Sequence, residues 1–161
     1  SSRRHLSKAL YKLKQWLGEY AVCIAGDEHS LSLVHTRLDL TDFREAIRSD
    51  EFVQKRKALR LYRGPLLEDC SLEWVDGPRA DLEREVRQIF QQVCETLRKE
   101  GRISEALAIA HRWSRHSPFE EEATRQVMAL YTRIGQPAAA LLHYRQCVNL
   151  LERELALEPE T

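Results

Sequence analysis

Apolar residues recur with the spacing of an α-helix over most of this chain. Four leucines at positions 6, 10, 13 and 17 form one stripe and predict a helix over residues 3–17. Two shorter amphipathic stretches predict two helices between residues 38 and 67, followed by a loop over residues 66–77. Longer stretches predict helices over about residues 79–99 and 137–157. We therefore expect all regular structure after about residue 38 to be helical.

The sequence repeats itself with a period of 34 residues between Glu83 and Glu154. The matched residues are Gly101 with Gly135, Ala106 with Ala140, and Leu107 with Leu141. Each glycine follows a helical stretch, where a residue with positive φ ends one helix and lets the chain turn back into the next. Two helices and a glycine turn within such a period are typical of a tetratricopeptide-type repeat. The sequence therefore predicts a mainly α fold, an α-α superhelix of tetratricopeptide-like repeats packed through these six residues.

The match to the repeat consensus is partial. Pro118 closes the first copy and joins the predicted packing residues, whereas the second copy has Glu152 in that place. Cys94 and Met128 stand where the consensus has a glycine within the first helix of each copy. Because both side chains are larger than glycine, we expect each helix pair to splay or slide relative to a standard repeat.

The charge of the chain is unevenly distributed. The net charge is zero, yet residues 1–18 contain five lysines and arginines and no acidic residue. On a helical wheel, Arg4, Lys8, Tyr11 and Gln15 lie opposite the leucines, with Lys12 at their flank. A basic segment on a mildly acidic body is typical of a protein in which one part binds nucleic acid. The candidate DNA-binding residues are Arg3, Arg4, Lys8, Tyr11, Lys12, Lys14 and Gln15.

The segment after Gly18 favours a β-hairpin. Two β-prone runs, Tyr20–Ala25 and Ser30–Val34, flank a turn of residues 26–29. A helix followed by a hairpin is the order of the recognition helix and wing of a winged helix. An amphipathic helix with a solvated basic face explains the helical pattern equally well, and both interpretations stay open on the pattern alone.

Motifs for catalysis or for binding a cofactor are missing from the sequence. The six histidines form no H-E-x-x-H pattern, no cysteine lies at zinc-finger spacing, and no glycine-rich loop suited to a phosphate is present. We therefore expect no enzyme activity, no cofactor and no metal. The tryptophans at 16, 74 and 113 are interpreted as core or loop-anchor residues, and the Glu120–Glu122 run as a helix N-terminus.

The cysteines and the apolar runs indicate the cellular environment. Four cysteines lie far apart with no C-x-x-C pair, which predicts reduced thiols in a cytoplasmic protein. The longest apolar runs are a few residues, too short for a transmembrane helix. We therefore expect no membrane association.

Seven short segments together resemble the bacterial transcriptional activator domain. They are Leu13–Gly18, Leu38–Phe43, Leu61–Leu67, Trp74-Val75, Gly101 with Glu105–Leu107, Pro118–Glu121, and Leu150–Leu155. This domain is a helical repeat module that follows a winged helix in antibiotic-pathway regulators of actinobacteria, and it also occurs in large ATPase-type regulators of other bacteria. The resemblance implies an activator domain at residues 38–161, preceded at residues 1–35 by the recognition helix and wing. The first part of that winged helix is expected before residue 1 in the parent protein.

Two functions are consistent with these observations. The resemblance implies a regulatory, oligomerisation and protein-interaction module of a bacterial DNA-binding transcription regulator. Its expected partners are DNA, through the complete winged helix, and a protein or a second copy of the chain, through the repeats. The alternative is a tetratricopeptide-type scaffold that binds peptides without direct DNA contact.

Overall fold

The computed structural model describes residues 2–17, 22–25, 28–31 and 38–155. The chain divides into two compact units, Ser1–Asp42 and Phe43–Thr161. None of the described helices combines the length and the apolar character that crossing a membrane requires. The elements in chain order are α1 (Ser2–Leu17), β1 (Val22–Ala25), β2 (Glu28–Leu31), α2 (Asp39–Arg48), α3 (Phe52–Leu61), a 3₁₀ turn (Glu73–Val75), α4 (Asp76–Lys99), α5 (Ile103–His116), α6 (Glu121–Arg133) and α7 (Pro137–Leu155).

The second strand of the hairpin begins earlier than the sequence predicted. β1 and β2 are antiparallel, with Val22 opposite Leu31 and Ala25 opposite Glu28. The predicted four-residue turn was therefore wrong, because Glu28 and His29 belong to β2.

Regular structure within residues 38–155 is entirely helical, as the sequence predicted. The start of α4 differs, because this helix begins at Asp76 rather than near Arg79. Gly77 and Pro78 therefore lie in its first turn. A proline is tolerated there because the first N–H groups of a helix have no partner within the helix.

The two repeat glycines close their helices in the same way. Gly101 has a φ of 75° and Gly135 a φ of 73°, both in the left-handed region. In each case the next residue donates its N–H across the glycine to the last turn of the helix. Arg102 N bonds to Leu97 O at 2.9 Å, and Gln136 N bonds to Tyr131 O at 2.9 Å. This is the Schellman cap, in which only glycine adopts the required φ without strain.

The helices of the second unit pack through small side chains around one aromatic pair. Ala106, Ala110 and Ala140 are all buried. Beside them, the rings of Phe90 in α4 and Trp113 in α5 stack with centroids 6.0 Å apart. Alanine lets two helix backbones approach closely, and the large rings fill the remaining space.

The second leucine of the repeat pattern does not have the predicted packing role. Leu107 is half-buried, but the side chain of Leu141 is 55% exposed. In α7 the buried positions are Ala140, Cys147 and Leu151. Leu141 lies about 100° around the helix from Ala140 and thus off this stripe.

Two of the three tryptophans also lie outside the core. Trp113 is fully buried, whereas Trp16 is 78% exposed and Trp74 is 63% exposed. Trp16 lies about 80° from the leucine stripe of α1. In the 3₁₀ turn, the neighbouring Val75 takes the buried position in place of Trp74. The interpretation of Trp16 and Trp74 as core or loop-anchor residues was therefore wrong.

Arg112 connects the end of α3 to α5. Its guanidinium donates hydrogen bonds to Leu59 O and Tyr62 O, the latter at 2.7 Å, and lies over the Phe90 ring. These carbonyls are at the C-terminus of α3, where a cation is favoured by the helix dipole. The contact fixes the end of α3 against α5.

Two histidines pack between α5, α6 and α7. His111 Nε2 lies 2.9 Å from Tyr131 Oη, and its ring meets that of His143 edge to face at 5.3 Å. His143 Nε2 lies 3.4 Å from Ser114 Oγ. Burial lowers the pKa of both histidines. The charge of Arg115 adds to this effect on the pKa of His111, and that of His111 adds to it on the pKa of His143.

Replacing Ala140 by leucine is expected to overpack the α6–α7 crossing. The substitution should lower the free energy of unfolding by about 1–3 kcal/mol, because the added methylene groups have no space. Ala138 is exposed in the same helix, so Ala138→Leu is the matched control and should change stability by less than about 0.5 kcal/mol. Thermal unfolding followed by circular dichroism measures both. Equal melting temperatures for the two variants would contradict this packing.

The histidine pair should make stability depend on pH. The pKa of each histidine is below the usual 6.5 in the folded state. In acid, the unfolded state therefore binds more protons at these residues than the folded state does. The stability is therefore fully present above pH 6.5 and is lost as the pH falls through the lowered pKa. Urea unfolding at several pH values should show this loss, and His111→Gln/His143→Gln should show a shallower one. An identical pH profile for the double variant would rule out the pair as its origin.

Candidate functional site

The first candidate site is the exposed basic face of α1. All seven predicted DNA-binding residues lie on this helix, which has no acidic residue in its first turn. The side chains of Lys8, Tyr11, Lys12 and Gln15 are exposed, and Gln15 Nε2 donates to Tyr11 Oη at 2.9 Å. The side chains of Arg3, Arg4 and Lys14 are outside the described part of the structure.

This face has the chemistry of a surface that contacts a polyanion. Lysine ammonium groups are point charges that suit phosphate oxygens, and tyrosine and glutamine side chains hydrogen-bond to phosphates or to base edges. A 16-residue helix is about 24 Å long. With its side chains an α-helix is about 10–12 Å across, so it fits the major groove, which is about 12 Å wide.

The second candidate site is an open groove of about 750 Å³ in the unit Phe43–Thr161. Its walls come from the α3–α4 connection, from α4, and from the turn between α5 and α6. Phe119 lies in that turn, directly after Pro118, and its side chain is 47% exposed. Pro118, which the sequence placed among the packing residues, thus lines a groove. The aromatic and charged lining residues are Tyr62, Glu83, Arg87, His116, Phe119 and Arg125.

Ion pairs line the side of this groove nearest to α6. Arg87 Nε lies 2.7 Å from Glu120 Oε2, and Arg125 Nη2 lies 3.1 Å from Glu121 Oε2. Glu121 is the first residue of α6, so the acidic run lies at a helix N-terminus, where the dipole favours negative charge.

The opposite side of the groove is formed by Tyr62 and His116, whose rings meet edge to face at 5.4 Å. Burial lowers the pKa of His116, with smaller contributions from the charges of Arg112 and Arg115. Burial also raises the pKa of Tyr62, and the charge of Glu83 adds to it. The groove therefore combines an aromatic wall with an excess of carboxylates.

Two further observations concern reactive groups. Within residues 2–17, 22–25, 28–31 and 38–155, no group of three or more histidine, cysteine or acidic residues is placed to hold a metal ion. Burial raises the pKa of Cys94 to about 12, which keeps its thiol protonated. Cys94 Sγ lies 3.8 Å from Ala106 O, so this thiol belongs to the packing of α4 against α5.

Sequence reasoning found the α1 face and missed the groove. A helix brings residues three and four apart to one face, so the pattern of α1 is visible in the sequence. The groove combines Tyr62, Glu83 and His116, which lie far apart in the chain. The one local signal was an aromatic residue directly after the proline that ends the first repeat.

Comparison with solved structures gives one informative neighbour. The chain is similar to the structure described as Mycobacterium tuberculosis EmbR in complex with low affinity phosphopeptide, with a TM-score of 0.66 and 22% sequence identity. The match covers 98% of this chain and 46% of that one, so this chain spans less than half of its neighbour's length. The likeness therefore shows a shared helical fold. Comparison with curated proteins gives no significant match.

The family of the chain follows from its match to a family model. Residues 31–161, most of the chain, match the model of the bacterial transcriptional activator domain. The match begins at Leu31, the last residue of β2, and includes α2 to α7. The chain therefore belongs to the bacterial transcriptional activator domain family.

Proposed function

We propose that this chain is the regulatory, self-association and protein-interaction module of a bacterial DNA-binding transcription regulator. The observation that carries this proposal is the exposed basic face of α1, which directly precedes a domain of the transcriptional activator family. In this proposal α1 and the β1–β2 hairpin are the recognition helix and wing of a winged helix. The regulator acts in the cytoplasm, where its DNA is accessible.

The DNA contact rests on charge and exposure. Lys8 and Lys12 are one helical turn apart, and both are exposed. Two cations at this spacing match consecutive phosphates along a groove wall. Tyr11 and Gln15 are on the same face of α1, and in this proposal their polar groups contact base edges. The phosphate contacts position the helix, and the polar side chains supply sequence preference.

The protein contact rests on the groove of the second unit. Phe119 offers an exposed aromatic ring beside ion-paired carboxylates, a combination that suits a peptide with apolar and polar groups. The structure of EmbR was determined with a phosphopeptide, and this supports protein partners for a regulator with this domain. A second copy of the chain is another partner consistent with a helical repeat surface, as a homodimer.

The second candidate function is a peptide-binding scaffold without direct DNA contact. The groove favours this alternative, because none of its lining residues belongs to α1. In that case the basic face of α1 is a solvated surface. The two functions predict different results for the intact protein. If α1 contacts DNA, the protein binds DNA with a salt dependence to which the cations of α1 contribute; in a peptide-binding scaffold they do not contribute.

Removing the charges of Lys8 and Lys12 in the full-length regulator should weaken its binding to duplex DNA of mixed sequence. Each phosphate contact contributes about 0.9 to the slope of log K against log salt concentration, so Lys8→Ala/Lys12→Ala should reduce the slope by about 1.8. Fluorescence anisotropy at several salt concentrations measures this slope.

The control for this experiment is Arg98→Ala/Lys99→Ala. It removes the same charge from exposed positions at the end of α4 and should leave the slope nearly unchanged. An unchanged slope for Lys8→Ala/Lys12→Ala would show that α1 does not contact DNA. Wild-type protein without salt-dependent DNA binding would favour the peptide-binding scaffold.

A further inference from the structure

We infer that the connection between α3 and α4, residues 62–75, is a docking loop for a basic amphipathic helix of a protein partner. This inference rests on the proposed protein-interaction role and adds the place and the chemistry of one partner. The loop is separate from α1.

The docking loop is held in one conformation by Arg79. The guanidinium of this residue donates to Leu66 O at 3.0 Å, to Leu67 O at 2.9 Å and to Cys70 O at 3.0 Å. Cys70 N also bonds to Leu67 O at 2.8 Å. A side chain of α4 thus satisfies three loop carbonyls, so a partner that binds this loop need not order it first.

One residue of the docking loop has an unfavourable backbone conformation. Leu67 has a φ of 48°, and it is the non-glycine residue with positive φ in the described part of the chain. Such a conformation is costly for a leucine and persists where the surrounding contacts impose it. Arg79 donates hydrogen bonds to the carbonyl oxygens of Leu66 and Leu67 at this position, and the Leu67 side chain is 51% exposed.

The docking loop exposes three large apolar side chains within eight positions. Besides Leu67, Leu72 is 58% exposed, and the exposed Trp74 lies in the 3₁₀ turn. Val75 anchors this turn, because it is fully buried and its N–H bonds to Leu72 O. Tryptophan is one of the residues enriched among those that dominate binding energy at protein interfaces. The loop therefore presents apolar anchors on a rigid support.

The charge around these anchors specifies the partner. The docking loop contains three acidic residues and one basic residue, the exposed Arg63, and Asp76 follows directly after it. Asp76 is paired with Arg79, whereas Glu68, Asp69 and Glu73 are exposed and make no ion pair with a described residue. Apolar anchors flanked by free carboxylates complement an amphipathic helix whose apolar stripe is bordered by lysines or arginines.

Binding of two designed peptides to the full-length regulator tests this inference. One is an amphipathic helix of leucine and lysine, and the other has glutamate in place of every lysine. Isothermal titration calorimetry should detect binding of the lysine peptide and at least about tenfold weaker binding of the glutamate peptide. Trp74→Ala should weaken binding of the lysine peptide at least about tenfold. Glu68→Gln/Asp69→Asn/Glu73→Gln should weaken it and reduce its salt dependence.

Matched controls locate the binding surface. Trp16→Ala makes the same substitution at the exposed tryptophan of α1 and should bind the lysine peptide like wild type. Because Trp74 is exposed, its variant should keep the wild-type melting temperature, and Leu72→Ser provides a second test of the same loop. The inference is overturned if both peptides bind equally, if neither binds, or if Phe119→Ala weakens binding and Trp74→Ala does not. The salt dependence of DNA binding is measured separately. Absence of peptide binding would therefore not contradict the proposed DNA contact, and absence of DNA binding would not contradict the docking loop.

Discussion

The close approach of neighbouring helices at alanine positions is the constraint on which the second unit depends. Ala106, Ala110 and Ala140 lie where helices cross, and each is almost completely excluded from solvent. Small side chains at these positions let neighbouring helices approach closely, and Phe90 of α4 and Trp113 of α5 stack in the space that remains. The groove, the α3–α4 loop and the histidine contacts all rely on the helix positions that this approach sets.

Much of the fold could be predicted from the sequence, because its determinants are local. Helical periodicity located the helices, and the 34-residue period identified Gly101 and Gly135 as the residues that end two of them. Errors arose where tertiary context decides. The start of α4 depends on Val75 being buried ahead of it, and the exposure of Leu141 depends on which face of α7 meets α6. Neither feature can be deduced from the few residues on either side in the sequence.

The candidate sites divide in the same way. The basic face of α1 could be predicted because one helix carries all its residues. The groove combines residues from separate helices, and the α3–α4 loop owes its conformation to Arg79, a residue outside it. A sequence pattern gives the residues of such a loop but does not indicate that a guanidinium holds its carbonyls. The loop could therefore be placed between two helices, while its rigidity and its exposed tryptophan could not.

The order in which the helices pack has a consequence for how the chain folds. From α3 onward each helix packs mainly against the next one in sequence, α3 on α4, α4 on α5, α5 on α6 and α6 on α7. Contacts between sequence neighbours require little loop closure, and proteins dominated by them reach the native state rapidly. In such a linear array, stability is close to a sum of terms from adjacent pairs. A substitution at one of these helix contacts should then weaken mainly the two helices that share it, and their amide hydrogens would exchange with solvent ahead of those in the other helices.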